Sequence, residues 1–287
     1  MDTIDKALIE GLKDKACEIR KKILTLGHLG GALHFGGDLS MTDAMVALFY
    51  YALKKDPKNP HWPGRDRFIL SKGHGAGCLY TVLADCGYFS EELLRSNYNK
   101  LDSGFGIHPI MNKVPGVEAS TGSLGHGLSL CVGMGIAAKL NHETFRIYCL
   151  LGDGECQEGS VWEAAMSANH YKLGNLTAII DRNGLSLDGP TEEIMALEPL
   201  EDKWKAFGWN AVTIEGNDME QLLRCLSSLP PVKSEKPTCI IAKTTKGKGI
   251  CFMENDPNWH AGSVDSEKLA ECCVMLDEAR KKEVFGY

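Results

Sequence analysis

The sequence predicts an α/β fold: a doubly wound parallel sheet flanked by helices. Three observations predict it. Five short segments, RFIL (67–70), FRIYCLL (145–151), LTAIID (176–181), NAVTI (210–214) and TCIIAK (238–243), are apolar and strand-like. Most are apolar at nearly every position, the pattern of a strand covered on both faces. Stretches with helical spacing lie between most of them, as a parallel sheet requires.

The elements follow in chain order. MDTIDKALIEGLKDKACEIRKKIL spaces its apolar residues as a charged amphipathic helix and lacks the form of a secretion signal. Helical patterns run from Ser40 to Leu53, Gly77 to Cys86, Gly127 to Leu140, Ser160 to Lys172 and Asp218 to Leu226. Ser160-Val-Trp-Glu163 has the form of a capping box at a helix start. The charged stretch 265–283 is expected to be a closing surface helix. No repeat or low-complexity linker interrupts the chain, so residues 1–287 are expected to form one domain, closed by a segment from about 255 onward.

Composition bounds the function. A hydrophobic fraction of 44% with 24% charged residues is that of a globular protein. A formal net charge of −7 counts against a nucleic-acid surface and means that an anionic cofactor needs local compensation. No apolar run approaches the roughly 20 residues of a membrane span. The eleven cysteines form no CxxC pair and mostly sit in apolar runs, which predicts buried thiols in a reducing cytoplasm.

The chemistry concentrates after the strands, where open α/β sheets bind ligands. Glycine-rich turns occupy 71–77 and 152–154. Gly152-Asp153-Gly154 follows a strand, but the next glycine is Gly159, which breaks the dinucleotide spacing GxGxxG. Asn183 ends the following strand in an Asn-Gly turn. A turn explains either site alone. Together the Asp153 carboxylate, the Asn183 amide oxygen and a nearby carbonyl such as that of Leu185 form a hard oxygen set suited to Mg²⁺ or Ca²⁺. Three protein oxygens leave room in an octahedron for two phosphate oxygens and a water, so the ligand expected is a diphosphate.

At these residues the sequence resembles the transketolase family. GDG followed about 30 residues later by Asn resembles the thiamine diphosphate signature. The blocks GHLGGAL (27–33), DRFILSKGHGAG (66–77), GIHP (106–109), GVEASTGSLGHGLSLCVGMGIAAK (116–139) and KTTKGKG (243–249) fall in the family's order. The resemblance implies a thiamine diphosphate-binding fold of the diphosphate-binding type, and only the N-terminal half of a transketolase. It implies Mg²⁺, replaceable by Ca²⁺ or Mn²⁺, on Asp153, Asn183 and Leu185. It places His74, Gly154 and His260 at the diphosphate and Gly122 and Leu124 at the cofactor rings. His28 and His108 face the substrate, and Glu158 and Glu163 join a carboxylate network between cofactor halves. His34, His61, His142 and His170 are read as ordinary. His126 stands where the family usually has Gln, and Ser123 where it usually has Pro.

The resemblance also implies a second polypeptide carrying the pyrimidine domain, an α2β2 assembly, and transfer of a two-carbon ketol unit from a ketose to an aldose. A pentose phosphate pair is the default substrate, with apulose 4-phosphate or a sulfo-sugar as alternatives. Two other readings stay open: the α subunit of a thiamine-dependent 2-oxoacid dehydrogenase, and a non-catalytic cofactor-binding homologue. SKGHGAG and GIHP favour transketolase over the first. Intact Asp153, Asn183, His74 and His28 count against the second.

Overall fold

The computed structural model describes residues 4–285. The first three residues of the N-terminal helical pattern, and Gly286 and Tyr287 of the closing segment, lie outside them. The chain runs through α1 (Lys6–Gly30), α2 (Phe35–Ser40), α3 (Thr42–Ala47), β1 (Arg67–Leu70), α4 (Ala76–Asp85), α5 (Glu91–Asn97) and α6 (His126–Leu140). It continues with β2 (Ile147–Gly152), α7 (Gly159–His170), β3 (Leu176–Arg182), α8 (Thr191–Ile194), α9 (Leu200–Ala206), β4 (Asn210–Glu215), α10 (Met219–Ser227), β5 (Thr238–Lys243) and α11 (Ser266–Phe285).

All five strands are parallel, in the order β1-β2-β3-β5-β4. Strand periodicity divides the interior into two cores. Along β2, Ile147, Cys149 and Leu151 pack with α6, α7 and α9, while Tyr148 and Leu150 pack with α1, α3, α4 and α10. This is why the central strands are apolar at nearly every position. Only β4, at the sheet edge, alternates between exposed and half-buried residues.

The helices start and stop for local reasons. Asp5 accepts a hydrogen bond from the Ala7 N–H and caps α1, and Gly31 ends it at φ 69°. Ile9, Leu12, Ala16, Ile19 and Ile23 form its buried stripe, against which α4 and α11 pack. Asp218 caps α10 through the Glu220 and Gln221 N–H groups.

Most boundaries shift by a residue or two from expectation, and three of the differences have a visible cause. The helix predicted from Ser40 to Leu53 is broken: α2 ends at Ser40, α3 begins at Thr42, and Leu48–Ala52 widens into a π-helical turn. Ser40 and Asp43 are held by tertiary partners, Asp181 and Arg20, which fix the break. β2 starts two residues late because Phe145 instead stacks on the Arg67 guanidinium, 4.2 Å away. The capping box at Ser160 does not form. Helix α7 starts at Gly159, and the Ser160 hydroxyl donates to the Gly125 carbonyl at 3.0 Å. The close approach of Gly125 (φ 81°), with no room for a Cβ beside Ser160 and Glu158, claims that hydroxyl.

All eleven cysteines are free; six are buried, and Cys251 alone is exposed. No helix among the described residues is long and apolar enough to cross a membrane.

The α7–α9 core is built around Trp204, fully buried, with its ring centroid 4.8 Å from Trp209 and 5.4 Å from Trp162. Replacing it empties the centre of that layer. Trp204→Ala is expected to cost about 3–5 kcal/mol in urea unfolding, with an unchanged slope.

Candidate active site

Parallel pairing brings the ends of β1, β2, β3 and β5 to one edge: Leu70 lies beside Leu150, and Gly152 beside Asp181. The loops that follow enclose a cavity of about 350 Å³, lined by Lys72, His74, Gly122, Leu124, Asp153, Gly154, Glu158, Asn183, Leu185, Lys246 and His260 among others. Residues far apart in sequence thus converge because four strands end together.

The floor is an ion pair. Lys72 and Asp181 are almost fully buried, and the Lys72 ammonium donates to Asp181 Oδ2 at 2.6 Å and to the Gly37 carbonyl at 2.9 Å. Asp181 also accepts from Ser40, Thr244 and the Asn183 amide. Burial pushes the Asp181 pKa up, but Lys72 and these donors outweigh burial and hold it below the usual carboxylate range.

The three expected metal ligands lie around this floor. Asp153, 2% exposed, accepts from the Gly154 N–H (2.8 Å), the Gly184 N–H (2.6 Å) and the Arg182 guanidinium (3.1 Å). The Asn183 amide gives its N–H to Asp181, and its oxygen accepts from the Leu185 N–H at 3.1 Å. The Lys246 ammonium donates to the Leu185 and Ser186 carbonyls at 3.1 and 2.9 Å, placing a positive charge against the carbonyl assigned to the metal. Burial, then the neighbouring Asp181, pushes the Asp153 pKa up. Both effects disfavour its charged form, which a cation bound beside it would stabilise. Among the described residues no cluster of three His, Cys, Asp or Glu could hold a metal. One carboxylate, one amide oxygen and one main-chain carbonyl fit Mg²⁺, which takes oxygen ligands and keeps waters or phosphates in its remaining positions.

Four imidazoles gather above. His34 lies with its ring centroid 5.3 Å from His74, 5.6 Å from His260 and 6.1 Å from His108. His74 and His260 are 5.3 Å apart, and His260 Nδ1 is 3.1 Å from the Lys246 ammonium. Burial lowers every pKa in the group. Neighbouring histidines and lysines add to it, bringing His34 and His260 down to about 4. The imidazoles are therefore neutral at pH 7, each with one donor and one acceptor nitrogen. Lys246, depressed by burial and then by Lys72, sits at about 8.

His28, expected to face substrate, is not in this group. It lies in the last turn of α1, with Nδ1 2.8 Å from the Val264 carbonyl. The sequence contains His-x-Gly-Gly twice in succession, HLGG at 28–31 and HFGG at 34–37. The helical period of α1 runs through the first copy and buries Leu24 and Leu26 around it, which is the signal that assigns the loop position to the second. Gly37 in that copy has room for no more than a small group beside the Lys72 ammonium and the His74 ring.

The other expected residues sit as follows. Gly122 lies against the His108 ring, and the backbone at Thr121–Gly122 approaches Gly73 so closely that a Cβ there would meet it at 2.6 Å. Leu124 and Glu158 line the cavity; Glu163 is exposed on α7 and does not. Besides His34, sequence reasoning passed over Lys72, Glu155, Asp181 and Lys246, all buried and all tied to this site.

Removing Asp181 leaves Lys72 as a buried, uncompensated charge. Asp181→Ala is expected to destabilise the chain by about 3–5 kcal/mol, measured as a drop in the urea midpoint, whereas Glu163→Ala leaves that midpoint near its starting value.

Comparison with known proteins agrees with this geometry. A family model described as transketolase, thiamine diphosphate binding domain, matches residues 22–278. The chain is 41% identical over 276 residues to an apulose-4-phosphate transketolase subunit of Phocaeicola vulgatus, covering 96% of both chains. It is 44% identical over 269 residues to a 6-deoxy-6-sulfo-D-fructose transketolase subunit of a Clostridium species, covering 93% of this chain and 96% of that one. Among solved structures it is similar to Campylobacter jejuni transketolase, with a TM-score of 0.85 and 31% identity over 97% of this chain. It spans 43% of that solved chain, less than half its length.

Proposed function

The chain belongs to the transketolase family, and we propose that it is the diphosphate-binding subunit of a two-subunit transketolase that uses thiamine diphosphate and Mg²⁺. The observation that carries this reading is the convergence of Asp153, Asn183, the Leu185 carbonyl and Lys246 with a cluster of neutral imidazoles at the ends of β2, β3 and β5. The near-complete mutual coverage with relatives named as subunits, against less than half of a single-chain transketolase, supports the division into two polypeptides.

Thiamine diphosphate, when bound, supplies the electron sink for a two-carbon ketol unit. The chain's own residues supply the surroundings. Asp153, Asn183 and Leu185 hold the metal; Lys246, His74, His260 and the Gly154 N–H face the diphosphate; Gly122 and Leu124 lie against the rings. Neutral His34 and His108 can each give and take a hydrogen bond, which suits the vicinal hydroxyls of a ketose. Glu158, just before α7, and Glu163 on it, both exposed, join a carboxylate network across the subunit interface. We read residues 1–287 as one domain of an α2β2 enzyme working in the cytoplasm, where its free thiols stay reduced. The substrate is a ketose with an anionic end. Apulose 4-phosphate and sulfofructose, named for the two relatives, are two members of that class, and the partner subunit selects among them.

Two measurements test this. In calorimetry the purified chain is expected to bind thiamine diphosphate with Mg²⁺ and not NAD, and Asp153→Ala to weaken that binding about 100-fold. In the assembled enzyme His34→Ala is expected to lower the rate of ketol transfer by about 10²-fold or more, while His28→Ala stays close to wild type. Ketol transfer by this chain without any other polypeptide would refute the two-subunit reading.

A further inference from the structure

One buried carboxylate belongs to none of the roles above. Glu155 is 2% exposed, two residues after Asp153, and its side chain turns inward. One oxygen, Oε1, accepts from the Ser71 hydroxyl and, at 2.8 Å, from the Gly125 N–H. The other, Oε2, accepts from the Gly152 N–H at 2.9 Å. The Ser71 oxygen in turn accepts from the Gly127 N–H at 3.1 Å, so the Gly125 and Gly127 N–H groups at the start of α6 end in this network. No cation forms an ion pair with Glu155 among the described residues; its partners are neutral donors from three loops.

Those loops have different tasks. Ser71 opens the loop after β1 that carries His74. Gly125 and Gly127 close the loop that carries Gly122 and Leu124. Gly152 opens the loop that carries Asp153 and Gly154. The loop at 122–127 is also pressed onto its neighbours where a side chain has no room: a Cβ on Gly127 would meet Ser71 Cα at 2.7 Å, and one on Gly125 would meet Glu158 Cβ at 2.8 Å. Contact of this kind sets a minimum distance but does not pull the loops together. The carboxylate does, because each of its oxygens draws on donors from a different segment.

We propose that Glu155 is a positioning residue that locks the loop facing the cofactor rings to the loops facing the diphosphate, so that both ends of the coenzyme meet a site of fixed span. The inference rests on the functional reading given above. It needs an acid at this position. Glutamine has one acceptor oxygen and one NH₂ group; either orientation sets that NH₂ against an N–H or O–H donor. The link to one loop is then broken and a buried donor is left unpaired.

The test compares two probes on the full chain by calorimetry, each with Mg²⁺: inorganic pyrophosphate, which engages only the diphosphate side, and thiamine diphosphate, which engages both. In Glu155→Gln, pyrophosphate affinity is expected to stay close to wild type while thiamine diphosphate affinity falls about 10-fold or more. Ser71→Ala, which removes one link and keeps the carboxylate, is expected to show the same selective loss to a smaller degree and carries the test should Glu155→Gln fail to fold. Equal losses for both probes would assign Glu155 a general structural role and overturn the proposal, as would unchanged affinity for both. Wild-type chain that fails to bind thiamine diphosphate at all would instead overturn the functional reading, and this inference with it.

Discussion

The site is organised by the Lys72–Asp181 ion pair. Lys72 follows β1, Asp181 lies near the end of β3, and the pair reaches the Gly37 carbonyl, Ser40 in α2 and Thr244 beyond β5. A buried pair of this kind gives little net stability, since desolvation offsets much of the attraction. Its effect is on specificity. Asp181 accepts from four side chains, Ser40, Lys72 and Asn183 on Oδ2 and Thr244 on Oδ1, so the segments that carry those partners have one arrangement in which no charge is stranded. The Asn183 amide is oriented as a by-product, because its N–H is taken by Asp181 and its oxygen must face the other way.

Local charge in the site opposes the charge of the whole molecule. The chain carries a net −7, yet Lys72 and Lys246 are buried at the cavity and depress the basicity of the imidazoles around them. Two consequences follow from one cause. An anionic ligand finds positive charge within a negative protein, and the imidazoles remain neutral hydrogen-bonding groups rather than competing cations. Protonating them as pH falls from about 6.5 toward 4 opposes folding, because His34 and His260 bind a proton more readily unfolded than folded.

The legible parts of the sequence were those fixed by short-range chemistry. The central strands were visible because burial on both faces leaves an unbroken apolar run, and two of the five, at 67–70 and 238–243, have the expected limits. Asp153, Asn183 and His74 stood out only as a set, because the glycines beside each strand end serve an ordinary turn equally well. His28 was expected in the site and His34 was not, although His34 lies in the imidazole cluster, since both stand before x-Gly-Gly and only the length of α1 separates them. Lys72, Lys246 and Glu155 were not legible at all. A lysine or glutamate is normally a surface residue, and what buries these three is a partner at least 30 positions away, which no local pattern encodes. The failed capping box at Ser160 has the same origin: a correct local motif lost to a distant carbonyl.

The distribution of sulfur has a practical meaning for handling the molecule. Six thiols are sealed inside and only Cys251 lies open to solvent, so the native chain offers oxidants a single ready point of attack. Unfolding exposes the buried thiols as well in a flexible chain, where oxidation can crosslink them and block return to the sheet. A reductant removes that route to irreversible loss on heating.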